Sequence, residues 1–185
     1  MANQKTNKYD MFSDSHENNS MMTALAGRLI EARNKSIQNI LSDFEGSEHK
    51  LEYVKTINGI DFINDSRSIN SNAVWYALES MTKPITWIMN INNQEELTEA
   101  LLDSIHNKVK NIVIQGVYNS KILDFFSGLN KKVYFSMNLE DAVRTAFYSS
   151  EPGDVVLFSP GIGSSGIYPT YRERGDKFKD AVAQL

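Results

Sequence analysis

Short apolar runs alternate with amphipathic segments along most of the chain. Residues 85–89, 111–114, 133–135 and 155–158 are rich in branched and aromatic side chains, as strands buried on both faces are. Between these runs, apolar residues recur every three or four positions, which is the helical period and predicts helices, among them one over 95–105. Strands that alternate with helices form a parallel sheet covered by helices on both faces. The sequence therefore predicts an α/β fold, a three-layer, Rossmann-like, mostly parallel sheet of about six strands.

We predict that this sheet begins with a β-hairpin. Residues 51–57 alternate as a half-buried strand, and Asn58-Gly59 follows them before the apolar run 60–63. Asn-Gly between two such runs is the strongest short hairpin signal, because both residues tolerate the left-handed backbone of the turn. Ahead of the hairpin, we expect 1–18 to be a disordered polar lead-in, 19–46 to form two helices, and 47–185 to form the α/β domain.

Composition excludes several classes of protein. The 185 residues carry a net charge of −4, which argues against a general nucleic-acid binder. The sequence has no cysteine, so disulfides, thiol nucleophiles and thiolate metal sites are excluded. Its three histidines show no metal-ligand spacing. No apolar stretch approaches the ~20 residues of a membrane span, and the N-terminus lacks the apolar core of a signal peptide. We therefore expect a cytoplasmic protein with no nucleic-acid or membrane partner.

The first candidate site is the run 64–70, where a strand is followed by a helix. It contains the carboxylate Asp65, the guanidinium Arg67 and two serines, and Asn70 can cap the helix that begins at Ser71. Ligands of open α/β sheets bind beyond the carboxyl ends of strands. An ordinary polar turn with a good helix cap explains the same residues.

The second candidate site is the loop 159–168, between the last predicted strand and the last predicted helix. Three glycines allow the backbone to approach a ligand, and the hydroxyls of Ser164 and Ser165, with free N–H groups, suit an anion. The loop is not a Walker motif, because no Gly-Lys-Ser/Thr follows. A Gly/Ser loop without a ligand is the alternative.

Taken together, these segments resemble the C-terminal domain of the Mur ligases, in particular their D-glutamate-adding branch. The resemblance covers roughly 19–185 in order. Its motifs are His49-Lys50-Leu51-Glu52, Ile57-Asn58-Gly59, Phe62-Ile63-Asn64-Asp65-Ser66, Ser159-Pro160 and Tyr171-Arg172-Glu173-Arg174-Gly175-Asp176-Lys177-Phe178.

The resemblance implies a ligase of peptidoglycan precursor synthesis, and hence of the cell wall and cell division. Such ligases form an amide bond from a carboxylate, an amino acid and ATP with Mg²⁺, and their C-terminal domain contacts the nucleotide and the incoming amino acid. It implies ATP as the cofactor. The implied partners are D-glutamate or a similar small acid, and the N-terminal and central ligase domains that this chain lacks.

Site residues follow from the resemblance by position. For the nucleotide, the resemblance implies that Asp65 contacts the ribose and that Asn19 faces the adenine. Lys50 stands where the family usually has an arginine that contacts the nucleotide. No catalytic residue and no metal ligand is assigned. The substrate-binding positions are Arg67 (usually lysine), Gln94, Ser164, Ser165 and Tyr171.

The chain also departs from the family pattern. Gln94 replaces the lysine of the family's Gly-Gly-x-Asp-Lys-Gly loop, so a charge-assisted bond to the substrate carboxylate is lost. Ile69 replaces a threonine, and no Gly-x-x-Gly-Lys-Thr/Ser loop is present to bind ATP phosphates. We therefore expect no ligation by this chain alone. It is a fragment of a longer ligase or a stand-alone, degenerate relative; Met1 permits the second, and Gln94 favours it.

Two alternatives remain beside an isolated ligase domain. One is a non-catalytic module that binds a nucleotide or small acid, or that regulates an intact ligase by docking on it. The other is a gene remnant that still folds. For the last helix, we expect Arg172, Glu173, Arg174 and Asp176 to form a salt-bridged face. We expect Trp87 to lie in the core.

Overall fold

The computed structural model describes residues 47–90, 97–161 and 168–185. Within these ranges six strands form one sheet in the order β1-β2-β6-β3-β4-β5. The strands are β1 (Glu52–Ile57), β2 (Ile60–Asn64), β3 (Ile85–Met89), β4 (Val109–Gln115), β5 (Lys132–Ser136) and β6 (Val155–Phe158). The helices are α1 (Ser71–Ser80), α2 (Glu99–Lys108), α3 (Ser120–Gly128), α4 (Leu139–Ser149) and α5 (Tyr171–Ala183).

The predicted α/β fold is confirmed. β1 pairs with β2 in the antiparallel sense, whereas β2–β6, β6–β3, β3–β4 and β4–β5 are parallel. At the turn of the hairpin, Asn58 and Gly59 have φ values of 50° and 80°. Both residues are therefore left-handed, as a two-residue hairpin turn with an Asn-Gly sequence requires.

Side-chain caps fix where the helices begin. Asn70 accepts a hydrogen bond from the Ala73 N–H at 2.9 Å, so the predicted cap of α1 is confirmed. The helix expected over 95–105 begins instead at Glu99 and continues to Lys108. Its start is set by Thr98, whose hydroxyl oxygen accepts from the Leu101 N–H at 3.3 Å.

Apolar side chains cover both faces of the sheet. One cluster contains Trp87, Leu101 and Phe126, and the other contains Phe62, Phe158 and Phe178. Trp87 is fully buried, as predicted, and its indole N–H donates to the Ser159 carbonyl at 2.8 Å. The core thus also fixes the start of the loop that follows β6.

The predicted lead-in and the two helices expected over 19–46 lie outside the described residues, so the predicted domain boundaries stay predictions. Among the residues that the structure describes, no helix is both long enough and apolar enough to cross a lipid bilayer.

Candidate functional site

Buried polar side chains gather where the parallel strands end. The carboxyl ends of β2, β6, β3, β4 and β5 share one edge of the sheet, because these strands are parallel. Ligands of open α/β sheets bind at such an edge. The buried polar residues that end these strands or directly follow them are Asn64, Asp65, Ser66, Ser68, Asn90, Gln115, Ser136 and Ser159.

Asp65 holds three segments together at this edge. Its side chain is 1% exposed. One carboxylate oxygen accepts from the Leu51 N–H at 3.3 Å, and the other accepts from the Ser159 hydroxyl at 2.8 Å. Burial raises the pKa of Asp65 from 3.8 to about 6, although these hydrogen bonds favour the charged form. Asp65 therefore links the segment before β1 to the loops after β2 and β6.

Lys50 lies in a strained stretch of backbone. The residues on either side, His49 and Leu51, have φ values of 67° and 46°, a left-handed conformation that side chains with a Cβ disfavour. The hydrogen bonds that hold this stretch include those from the Arg67 N–H to the His49 carbonyl at 3.0 Å and from the Leu51 N–H to Asp65. Strain of this kind is found at functional sites more often than elsewhere.

Helix α5 packs directly on the strand-end loop at Gly175. A Cβ at Gly175 would lie 2.1 Å from His49 Nδ1 and 2.4 Å from Ser66 Oγ. His49 is buried with Nδ1 at 3.0 Å from the Asn64 amide nitrogen, and the Ser66 hydroxyl donates to the Tyr171 carbonyl at 2.9 Å. Only glycine permits this approach. The signal in the sequence is an isolated glycine within a helical pattern, which often has a packing reason.

The carboxylates around His49 share one cation. The ammonium of Lys179 lies 2.9 Å from Glu48, 3.2 Å from Asp176 and 3.5 Å from Glu52. Burial opposes the charge of Lys179, but hydrogen bonds from its ammonium to Glu48 and Asp176 raise its pKa. Glu48, His49 and Asp176 do place possible metal-ligand atoms within 4.8 Å of one another. Because the Lys179 ammonium already pairs with both carboxylates, we interpret this group as an ion-pair cluster.

The interpretation of α5 as a salt-bridged face is wrong for both of its arginines. Asp176 pairs with Lys179, three residues further along the helix. Arg174 points inward, is 2% exposed and donates to the Ser66 carbonyl at 2.5 Å. The guanidinium carbon of Arg172 lies 5.7 Å from the centroid of the Tyr171 ring. Burial and ring contact, rather than helical spacing, determine where these side chains lie.

Four of the predicted site residues lie at the described carboxyl edge. Tyr171 opens α5, and the guanidinium carbon of Arg67 lies 5.7 Å from its ring centroid. Lys50 and Asp65 lie on the neighbouring side, next to β1 and β2. Their roles stay predictions. The remaining predicted residues, Asn19, Gln94, Ser164 and Ser165, lie outside the described residues.

A cavity of about 610 Å³ opens at the opposite edge of the sheet, near the start of β3, β4 and β5. Several lysines line it, but two of them bind helix ends. Lys108 donates to the carbonyls of Leu78, Glu79 and Met81, and Lys131 donates to the carbonyl of His106 at 2.7 Å. Cations at C-terminal helix carbonyls are a common structural device. We therefore place the candidate site at the carboxyl edge.

Curated proteins provide clear relatives. The chain is 36% identical over 167 residues to the UDP-N-acetylmuramoylalanine–D-glutamate ligase of Christiangramia forsetii. It is 32% identical over 170 residues to the enzyme of the same name from Porphyromonas gingivalis strain W83. These matches cover 90% and 92% of this chain but 38% of each relative. The chain therefore spans less than half the length of the relatives that it matches.

A solved structure supports the same fold. UDP-N-acetylmuramate-alanine ligase MurC from Thermotoga maritima matches with a TM-score of 0.50 and 17% identity, over 77% of this chain and 31% of that one. At this identity the likeness shows the fold alone. No model of a protein family matches the chain.

Proposed function

Because the chain belongs to the Mur ligases, as a partial homologue of their D-glutamate-adding members, we propose that it is the domain of such a ligase that contacts nucleotide and amino acid. The observation that carries this proposal is a match of 36% identity over 90% of the chain. We further propose that it serves peptidoglycan precursor synthesis in the cytoplasm. The resemblance in motifs supports the proposal that it is the C-terminal domain of a ligase.

The carboxyl edge of the sheet supports two adjacent binding regions. On one side, Arg67 and Tyr171 form a cationic and aromatic surface that suits an acidic amino acid. On the other side, Lys50 is held in strained backbone beside Asp65. We assign the amino acid to the first region and the nucleotide to the second.

Of the residues in the second region, Lys50 suits a nucleotide better than Asp65 does. The ammonium of Lys50 suits a phosphate. Asp65 is buried, and its oxygens accept hydrogen bonds from Leu51 and Ser159, so a contact with ribose requires these neighbours to move. In a complete ligase, ATP supplies the phosphoryl group that activates a carboxylate for amide formation. Within this chain, Asp65 fixes the backbone on either side of Lys50, and Lys50 orients the nucleotide.

This chain alone should not catalyse ligation. Phosphoryl transfer depends on basic groups and metal ions placed around the phosphates, and the sequence contains no Gly-x-x-Gly-Lys-Thr/Ser loop. We expect no phosphate release when the chain is given ATP, D-glutamate, Mg²⁺ and the UDP-sugar acceptor. We expect calorimetry to detect binding of ADP and of D-glutamate. If neither ligand binds, the proposed function is wrong.

A regulatory module that docks on an intact ligase is the second candidate. Exposed apolar side chains favour it, because Val117 is 77% exposed and Met137 is 71% exposed at the ends of the adjacent strands β4 and β5. Sedimentation of the chain with a complete D-glutamate-adding ligase tests this candidate. A stable complex that Val117→Asp abolishes supports docking, and independent sedimentation rejects it.

A further inference from the structure

The two outer strands of the sheet differ in how well they are protected against a further strand. β1 and β5 are the edge strands, and an edge strand presents backbone N–H and C=O groups that can pair with another chain. The register of β1 shifts between Tyr53 and Lys55, and β1 also carries Glu52. Bulges and charges of this kind discourage edge pairing. In β5 the register with β4 is unbroken, and its only charged residue is Lys132, at its start.

The outward backbone groups of β5 follow from its pairing with β4. The Ser136 carbonyl accepts from the Gly116 N–H at 2.9 Å, so Ser136 directs its backbone groups towards β4. Because alternate residues of a parallel strand bond to the same neighbour, Tyr134 also faces β4, whereas Val133 and Phe135 direct their N–H and C=O groups outward. Within the described part of the chain, these outward groups have no hydrogen-bond partner.

Apolar and aromatic side chains surround this open edge. Tyr118 follows β4 and Met137 follows β5, and both are exposed. The Tyr118 ring lies 5.1 Å from the ring of Phe135. Tyr148 of α4 is also exposed, and together with Tyr134 it lines a cavity of about 420 Å³ beside the strand. Exposed apolar surface of this kind marks an interface with another protein.

The sequence of β5 is complementary to itself in the antiparallel sense. A two-fold axis at Tyr134 places Val133 opposite Phe135 of a second copy, and Lys132 opposite Ser136. Residues that exchange both backbone hydrogen bonds alternate with residues that exchange none in an antiparallel pair, so the outward groups of Val133 and Phe135 all find partners. Val133 and Phe135 pack on one face of the sheet and Tyr134 on the other. Apolar side chains therefore meet apolar ones on both faces, and no like charges are opposed.

We propose that this chain forms a symmetric dimer in which β5 pairs with β5 of a second copy, about a two-fold axis at Tyr134. The two sheets then continue into each other, and the two Tyr134 rings form a cross-strand aromatic pair. A two-fold contact of this kind closes on itself, so it yields a dimer and not a fibre. The dimer uses none of the proposed ligand sites, so it can exist whether or not the proposed function is correct.

Analytical ultracentrifugation of the 185-residue chain over a range of concentrations tests the dimer. The wild type should form a dimer in reversible equilibrium with the monomer. Tyr134→Lys should raise the dissociation constant of the dimer roughly tenfold or more, because two opposed ammonium groups replace an aromatic pair. Tyr53→Lys makes the same change at the other edge strand, where Tyr53 is also exposed, and should leave the dissociation constant unchanged.

Two further variants test the backbone pairing and the two-fold axis. Val133→Pro removes an outward N–H but no hydrogen bond to β4. Circular dichroism should therefore show a folded chain, whereas the dimer should weaken roughly tenfold or more, since it loses two hydrogen bonds. An equimolar mixture of Tyr134→Lys and Tyr134→Glu should associate more tightly than either variant alone, because opposite charges then meet at the axis.

A wild-type chain that stays monomeric at every concentration overturns the proposed dimer. A dimer that is equally stable in the wild type and in Tyr134→Lys also overturns it, since another surface must then hold the two copies together. If the mixture of the Tyr134 variants associates no more tightly than each variant alone, the two-fold axis at Tyr134 is wrong. If a monomeric chain instead binds a complete D-glutamate-adding ligase, and Tyr134→Lys abolishes that binding, the edge serves a different partner and self-pairing is wrong.

Discussion

Substituting Gly175 by alanine should destabilise the chain, although alanine is the better helix former. The new Cβ would lie 2.1 Å from His49 Nδ1 and 2.4 Å from Ser66 Oγ, whereas non-bonded heavy atoms prefer about 3.5–4 Å. Both side chains would have to move by more than an ångström. Each is fixed by a buried or half-buried hydrogen bond, His49 to Asn64 and Ser66 to the Tyr171 carbonyl.

The expected loss can be estimated from three contributions. Overpacking costs about 1–3 kcal/mol, and loss of the two hydrogen bonds adds about 1–3 kcal/mol together. Replacing glycine by alanine in a helix returns about 1 kcal/mol. The free energy of unfolding should therefore fall by about 1–5 kcal/mol, a large share of the roughly 5–15 kcal/mol of an ordinary domain.

Urea denaturation followed by circular dichroism measures this loss. Gly128→Ala is the matched control, because Gly128 also lies in a helix and a Cβ there would meet no atom within 4 Å. In a His49→Ala background, Gly175→Ala should cost less, since the 2.1 Å contact is gone. Equal stability of Gly175→Ala and Gly128→Ala would refute the close packing of α5 on the strand-end loop.

Three further predictions concern single substitutions. Asn70→Ala should lower the free energy of unfolding by about 1 kcal/mol in urea denaturation, because the cap of α1 is lost; an unchanged midpoint would contradict the cap. Burial raises the pKa of Asp65 to about 6 in the folded state, so its protonated form is favoured there. As the pH rises from 4 through 6, the free energy of unfolding of the wild type should therefore fall by about 3 kcal/mol relative to that of Asp65→Asn. If the unfolding free energies of the two proteins change in parallel with pH, this prediction is wrong. Gln94→Lys should raise D-glutamate affinity roughly tenfold in calorimetry, and an unchanged affinity would remove position 94 from the site.

Local signals predicted much of the fold. The Asn58-Gly59 turn and the Asn70 cap depend on residues that are close in sequence, and both are present in the structure. The apolar runs predicted the strands, because each run is long enough for one strand. β3 and β6 are buried on both faces as expected, whereas the run 133–135 is only half-buried, because β5 is the edge strand of the sheet. Thr98 moved the start of α2 by several residues, since a cap competes with helical periodicity for the first turn.

The candidate site depends on contacts that sequence patterns do not encode. Asp65 is buried because Ser159, 94 residues away, closes over it. Its raised pKa follows from that burial. Arg174 and Asp176 looked like members of one polar helix face, but the direction of each side chain is set by packing against Ser66 and Lys179. The position of Asp65 and Ser159 just after β2 and β6 was predictable from the sequence, whereas the hydrogen bond between them was not.

Chemical-shift mapping with D-glutamate and ADP tests most directly whether the carboxyl edge of the sheet is a ligand site. The backbone amides of 65–68 and 171–175 should shift with D-glutamate, and those of 49–52 should shift with ADP. The amides at the lysine-lined cavity of the opposite edge, 81–83 and 130–132, should stay in place. Shifts confined to that cavity, or no shifts with either ligand, would contradict the assignment.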